Sequence, residues 1–242
     1  MERYDVIVVG AGHAGIEASN AAANLGCSVL LLTLDINSIG KLSCNPAVGG
    51  VSKGNLVREV DALGGLIGKI ADKCALSYRV LNRSKGKAVW STRAQVDMFS
   101  YPEVARKFLE KNKNIDIVQA KVEEILIKNK KIYGIKTNRQ EVFQCKSVAI
   151  CAGTFLKSKI HIGMDSFSGG RLGENSSDQL FKSLKKAGIK SRHFKTGTCA
   201  RLDKRTIDFS KMKEQKSEKD VLPFSLSNKS LNSFFVLSNS IQ

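Results

Sequence analysis

The sequence predicts an α/β fold built on a parallel sheet, and three observations carry that expectation. First, residues 4–9 are a short β-branched run that leads at once into Gly10-Ala11-Gly12-His13-Ala14-Gly15. Second, an alanine-rich helical pattern over 16–25 follows, and another apolar run covers 28–32. Third, residues 147–151 read as a strand of the buried type. Strand, GxGxxG turn, helix and strand in that order form the unit that binds dinucleotides. Gly10 permits the tight turn, Gly12 lets the backbone approach a pyrophosphate, and Gly15 lets the helix pack closely on the strand. The helix N-terminus then points its unsatisfied N–H groups at the phosphates. A glycine-rich turn with no ligand is the competing reading, and the flanking strand and helix weigh against it.

Composition bounds the rest. At 242 residues with 42% hydrophobic side chains the chain can bury a sizeable core, as one large or two small domains. No stretch reaches the apolar length of a membrane span, and the start lacks a signal-peptide core. The six cysteines (Cys27, Cys44, Cys74, Cys145, Cys151, Cys199) show no CxxC spacing, so neither a metal site nor a redox pair is indicated. Free thiols suit a reducing compartment, the cytoplasm, with the mitochondrial matrix as the alternative. The net charge of +17 favours a polyanionic partner such as nucleic acid, or else marks a lysine-rich solvated surface. Residues 182–216 hold twelve Lys or Arg against three acids, which tilts toward a functional patch.

The elements follow in order. Thr33 stands at the end of the second strand, where many such folds place an acid on the adenosine ribose, and Asp35 is two residues on. Residues 43–54 are dense in turn-formers and read as a loop. Asn55 opens a helix over 55–63 that Gly64-Gly65 ends, and a second helical pattern covers 66–74. Residues 78–93 read as a long loop whose Arg79, Arg83, Lys85, Lys87 and Arg93 suit phosphates. A helix over 102–109 carries Val104 and Phe108 on one face. Short β-branched segments at 115–119, 122–127, 132–137 and 140–143 predict a small antiparallel meander inserted into the parallel fold. After the strand at 147–151 comes Ala152-Gly153-Thr154; glutathione-reductase-like flavoproteins run such a strand beside the cofactor, by fold analogy. Residues 166–177 are a polar turn region. A helix over 180–187, opened by a capping box of Ser176 and Gln179, offers a second candidate anion site. Residues 195–242 have a basic, short-strand character and a Ser/Asn-rich end.

Several longer stretches are more specific than the glycine turn. They are GAGHAG at 10–15, SCNPAVGGVSKGNLVREVDALGG at 43–65, RVLNRSKGKAVWSTRAQVD at 79–97, GTFLKSKIHIG at 153–163, and KTGT at 195–198 leading to RLDKRTIDFS at 201–210. Together they resemble the MnmG (GidA) family of tRNA uridine 5-carboxymethylaminomethyl modification enzymes, over essentially the whole chain. The resemblance implies a glutathione-reductase-like FAD-binding Rossmann fold with an inserted antiparallel β meander, incomplete at the C-terminus because family members run to more than twice this length. It implies an FAD-binding domain over 1–200, with the meander at about 115–145, and the truncated start of a nicotinamide-binding insertion over 201–242. It implies FAD, with NADH and methylene-tetrahydrofolate as co-substrates, tRNA as substrate, an MnmE-type GTPase as partner, a homodimer in the full-length family, and no membrane association.

The same resemblance places FAD contacts on Gly10, Ala11, Gly12, His13, Ala14 and Gly15, on Val122 and on Ser177, and it matches Cys44 to one of two cysteines the family is thought to use. A thiolate adding to carbon 6 of uracil makes carbon 5 nucleophilic, the logic of covalent catalysis. His13 is expected to make local hydrogen bonds and His161, in a strand-like run, to be structural; neither is assigned to catalysis, and no metal is expected. Three departures stand out: Ser52 where the family usually has glycine, Lys87 where it has proline, and KTGTCAR for KTGTPPR. Two rival readings remain, a folate-dependent tRNA uridine methyltransferase of the TrmFO type, which shares the glycine turn, and a non-catalytic tRNA- or partner-binding remnant. The SCNPAVGG and SKGKAV stretches fit the MnmG family better than the TrmFO type.

Overall fold

The computed structural model describes residues 3–218 and 221–228. In chain order its elements are β1 (Arg3–Val9), α1 (His13–Asn24), β2 (Val29–Thr33), β3 (Ala47–Gly49), α2 (Lys53–Ala62), α3 (Ile67–Cys74), β4 (Ala75–Leu81), β5 (Ser91–Val96), α4 (Ser100–Glu110), β6 (Ile115–Gln119), β7 (Val122–Lys128), β8 (Lys131–Thr137), β9 (Val142–Ile150), β10 (Lys159–Ile162), β11 (Asp165–Ser168) and α5 (Asp178–Lys186). They divide into two compact units, each discontinuous in sequence: residues 1–41 with 105–194, and 42–104 with 195–242. No helix among the described residues is long and apolar enough to cross a membrane.

The first unit is a six-stranded sheet in the order β6-β2-β1-β9-β8-β7. β6, β2, β1 and β9 are parallel, and β9, β8 and β7 are antiparallel. This is the expected α/β fold with its meander. Every residue of β2 is buried, as a central parallel strand covered on both faces requires. One face of the sheet buries Tyr4, Ile7, Val9, Leu30, Leu32, Ile135 and Cys145 together with Leu180 and Leu184 of α5. α1 packs against β1 and β2 through Ile16 and Ala23. Asn129 and Lys130, at φ 52° and 59°, form the two-residue turn between β7 and β8, with Lys128 opposite Lys131.

Two details of the meander differ from expectation. The segment 115–119 is not part of it but pairs in parallel with β2, Val29 to Ile115 through Thr33 to Gln119. The segments expected at 140–143 and 147–151 are one nine-residue strand, whose start pairs with β8 and whose length from Gln144 pairs with β1. Gln144 and Lys146 break the apolar run in sequence; within the strand Cys145 is buried while Lys146 and Ser147 are exposed, and Lys146 pairs with Asp5. The helix expected at 180–187 is α5, but its N-cap is Ser177, without a side-chain bond to the helix. Ser176 bonds Phe155 O (2.9 Å) and the Asp178 carboxylate (2.6 Å) instead of closing a capping box with Gln179.

The second unit holds an antiparallel sheet, β3-β5-β4, with α2 and α3. Residues expected as a loop over 78–93 are therefore largely the β4–β5 pair, joined by single 3-10 turns at Arg83–Lys85 and Lys87–Val89. The strand signal is weak because the inward positions of β5 are small: Thr92, Ala94 and Val96 are buried while Arg93 and Gln95 alternate outward. α2 begins two residues earlier than expected, with Ser52 and not Asn55 at its N-cap. Ser52 sits in the left-handed region at φ 62° and makes no capping bond. In α4 the buried residues are Tyr101, Ala105 and Leu109, one helical step away from the expected Val104 and Phe108.

The segment beyond 195 has no strand among its described residues; two 3-10 turns, Lys204–Thr206 and Phe209–Lys211, are its regular structure. It is attached through buried acids. Asp72 accepts from the Tyr78 hydroxyl, from Phe224 N (2.8 Å), Ser225 N (2.9 Å) and Asn228 Nδ2 (2.8 Å), while Asp61 accepts from Leu226 N (2.9 Å). Arg58 donates to Pro223 O (2.9 Å) and lies over the Phe224 ring. The Ser/Asn-rich end at 229–242 lies outside the described residues, as do residues 219–220 of the segment read as the start of a nicotinamide-binding insertion.

Candidate functional site

In the first unit the chain leaves β1 toward β2 and β6 on one side and β9 on the other, so the order reverses between β1 and β9. Open α/β sheets bind ligands outside the carboxyl ends of their strands at such a reversal. The glycine turn stands there. Gly10 has φ 102° and donates its N–H to Leu32 O at 2.8 Å. A Cβ on Gly10 would lie 2.4 Å from Cys151 O, at the end of β9, and a Cβ on Gly15 would lie 1.8 Å from Gly10 O. These two glycines are thus consumed by the packing of β1, β9 and α1.

Gly12 differs. It is the N-cap of α1, it is exposed, and a Cβ there would meet nothing within 4 Å. The first intrahelical bond runs from Ile16 N to Gly12 O (2.9 Å), so the earlier N–H groups are directed out of the helix end. No side chain caps this end and no acid stands in its first turn. The positive end of the helix dipole therefore faces open space with no carboxylate competing for it, which is the geometry a diphosphate requires. Ala11 is buried and its carbonyl accepts from Gly40 N at 2.8 Å; Ala14 is exposed beside Gly12. Burial lowers the His13 pKa below 6.5, so the imidazole is neutral at pH 7 and contributes no positive charge to the turn.

The other expected contacts gather at the same end of this unit. Val122 opens β7 two residues after Ala120, whose N–H donates to Thr33 O at the end of β2 (2.9 Å). Its side chain is 3% exposed within the core, which leaves its backbone to meet any ligand. Ser177 is buried at the N-cap of α5 and donates its N–H to Phe155 O (2.7 Å), in the 3-10 turn that follows β9. Asp178 already places a carboxylate in the first turn of α5, which counts against the second anion site read from sequence.

At the end of β2, Asp35 is engaged internally. Its oxygens accept from Asn37 N (3.0 Å) and Ser38 Oγ (2.6 Å), and the Ser38 hydrogen bond holds its carboxyl below the usual range. A reading of the ribose position alone does not anticipate this, because the turn is closed by Asn37 and Ser38, which follow the acid.

Cys44 belongs to the second unit. It is exposed, and its thiol donates to Gly197 O at 3.1 Å, while Arg201 Nη2 donates to Ser43 O at 3.4 Å. Of the five cations read as a phosphate-binding loop, Arg83 pairs with Glu218 and lies over the Trp90 ring, and Arg79 stands directly opposite Arg93 across β4 and β5. The basic stretch 182–216 divides between the two units, and Arg205, Lys211 and Lys216 within it pair with nearby acids.

Comparison with known proteins follows the same lines. A family model described as glucose inhibited division protein A matches residues 5–237. The tRNA uridine 5-carboxymethylaminomethyl modification enzyme MnmG of Thermodesulfovibrio yellowstonii is 51% identical over 229 residues, which cover 95% of this chain and 37% of that protein. The enzyme of the same description from Karelsulcia muelleri is 50% identical over 94% of this chain and 38% of its own length. The crystal structure of Aquifex aeolicus GidA in its form I crystal superposes with a TM-score of 0.91 at 43% identity, over 94% of this chain and 38% of that one. The chain thus spans somewhat over a third of the length of these relatives.

Proposed function

The chain belongs to the glucose inhibited division protein A family, and from that premise we propose that it is the amino-terminal portion of a flavin-dependent tRNA-modifying enzyme. The reaction of the complete protein is the addition of a (carboxymethyl)aminomethyl group to carbon 5 of the wobble uridine. NADH and methylene-tetrahydrofolate serve as co-substrates, an MnmE-type GTPase is the partner, and the active form is a cytoplasmic homodimer. Residues 1–200 form the FAD-binding domain in this reading, and 201–242 begin the nicotinamide-binding insertion.

One observation supports the cofactor assignment above the others: the uncapped N-terminus of α1 behind the open face of Gly12, at the reversal of strand order. The residues fit a flavin dinucleotide. Gly10 shapes the turn, the backbone N–H groups that follow it, up to Gly15, hold the diphosphate, the neutral His13 leaves charge neutralisation to the helix end, and Val122 by its backbone and Ser177 border the same edge. FAD, when bound, supplies two-electron redox chemistry. Cys44 is the nucleophile: its sulfur adds to carbon 6 of the uracil ring, and carbon 5 becomes the site of attack on the one-carbon unit.

The test is a flavin spectrum. Purified chain incubated with FAD carries the flavin absorbance through gel filtration, and Gly12→Val does not. A wild-type chain that elutes colourless overturns the cofactor reading for this chain. The net charge of +17, which suits a polyanionic partner, supports a second reading, a non-catalytic tRNA- or partner-binding remnant. Colourless protein that still retards tRNA in a gel establishes that reading in place of the first.

A further inference from the structure

Of the six cysteines, Cys44 and Cys199 are the two that stand exposed, and both belong to the second unit. Two side-chain contacts tie the segments that carry them. The Cys44 thiol donates to Gly197 O at 3.1 Å, and the carbonyl of the preceding residue, Ser43, accepts from Arg201 Nη2 at 3.4 Å. Cys199 is the middle residue of the stretch those two contacts define. By standard backbone dimensions its Cα lies on the order of 5 Å from Gly197 O. The Cys44 sulfur, 3.1 Å from Gly197 O, therefore lies no more than about 8 Å from the Cys199 Cα, and a local adjustment of the chain near Cys199 brings the two residues to the roughly 5.5–6 Å Cα separation of a disulfide. The stretch allows it, because residues 187–203 lie outside any helix or strand. The remaining thiols compete poorly. Cys74 and Cys145 are buried, Cys27 and Cys151 are half-buried, and burial pushes the thiols of Cys74, Cys145 and Cys151 up.

We propose that Cys44 and Cys199 form a reversible intramolecular disulfide when the chain meets an oxidised small thiol such as glutathione disulfide. The Cys44 thiolate attacks one sulfur of the small disulfide, whose S–S bond breaks and expels one glutathione thiolate. The Cys199 thiolate then attacks the Cys44 sulfur, the protein S–S bond forms, and the second glutathione thiolate leaves. The two protons lost from the cysteines are taken up by the two glutathione thiolates. The protein is oxidised by two electrons and the small disulfide is reduced by two. The consequence, a nucleophile withdrawn under oxidising conditions and restored by reduction, rests on the reading of Cys44 given above; the disulfide itself does not.

The experiment uses the whole purified chain in glutathione redox buffers, with free thiols blocked by alkylation and disulfides mapped by mass spectrometry of the digest. The expected result is a peptide linking Cys44 to Cys199, in about tenfold excess over glutathione adducts of Cys44 and reversed by dithiothreitol. Cys199→Ser, an exposed replacement whose fold is checked by its melting curve, then accumulates the glutathione adduct at Cys44 with no linked peptide. Wild-type protein that carries the adduct at Cys44 while Cys199 remains free overturns the proposal, as does a link from Cys44 to any other cysteine or to a second copy of the chain. Because no activity is read, a mapped disulfide stands whether or not Cys44 proves to be the nucleophile.

Discussion

Two glycines three residues apart in the same turn are expected to fail in opposite ways. On Gly15, an added methyl lies 1.8 Å from Gly10 O, against the 3.4 Å at which ordinary contact begins. The obstacle is backbone, so α1 and the turn must separate by about 1.6 Å. Overpacking of this kind costs roughly 3 kcal/mol, and the better helix propensity of alanine returns about 1 kcal/mol of it. Gly15→Ala should thus lose about 2 kcal/mol, a fall on the order of 4–8 °C in Tm for a chain of this size. On Gly12 the space is open and the backbone, at φ −72° and ψ −176°, is one that any residue adopts. Gly12→Val should change stability by no more than about 1 kcal/mol, the cost of a poorer N-cap. Its side chain instead stands where a diphosphate approaches; losing two charge-assisted hydrogen bonds of about 1.5 kcal/mol each weakens FAD binding roughly a hundredfold. Thermal melting followed by circular dichroism and a fluorescence titration with FAD separate the two effects. If Gly15→Ala melts with the wild type, or Gly12→Val takes up FAD with unchanged affinity, the division of labour within the turn is wrong.

Other expectations are more local. In a full-length family enzyme carrying these residues, Cys44→Ala should stop uridine modification while FAD stays bound; wild-type levels of the modified nucleoside in tRNA would remove the catalytic role. Ser52→Gly should stabilise the chain by about 0.5–1 kcal/mol, since Ser52 holds φ 62° without a capping bond to lose; a melting temperature that fell would refute this. Asp72→Ala leaves the buried amides of Phe224 and Ser225 without their acceptor, a cost on the order of 3 kcal/mol, and should expose 222–228 to limited proteolysis. Unchanged cleavage would show that this segment is held by other contacts. Lys146, with Ser28, holds the Asp5 carboxyl at about 2, against an ordinary value of 3.8. A depressed carboxyl stabilises the fold above its unfolded pKa and loses that contribution as pH falls from about 4 through about 2. Lys146→Ala should raise the Asp5 titration midpoint read by NMR, and an unmoved midpoint would assign the shift to Ser28 alone.

What could be read from sequence was whatever is decided within a few residues. The glycine turn was legible because strand, turn and helix are contiguous and each glycine has a steric reason. The helices at 53–62 and 67–74 and the β7–β8 turn were legible for the same cause, to within a residue or two. The β4–β5 pair was not, because Ser91, Thr92 and Ala94 are small among the buried positions of β5 and Arg93 and Gln95 stand between the buried ones, so polar side chains concealed the alternation. β9 was divided in two because it changes partners midway and its polarity follows the partner. Asp72 gave no signal at all: an acid in an apolar helix declares its role only when residues about 150 positions later arrive to bond it. Within the candidate site, the open face at Gly12 was anticipated, whereas the inward turn of Asp35 and the carboxylate at the start of α5 depend on neighbours that motif reading does not weigh.

The double allegiance of β9 has a mechanical consequence. Because one continuous strand pairs with β8 over residues 142–144 and with β1 over residues 144–150, the two halves of the first unit meet at Gln144 inside a single strand. Peeling the β7–β8 ribbon away strips one edge of β9 and loosens its hold on β1, and with it the carbonyl of Cys151 against which Gly10 is seated. Deuterium uptake in β8 and in β1 should therefore rise together as denaturant is added, as one opening event and not two.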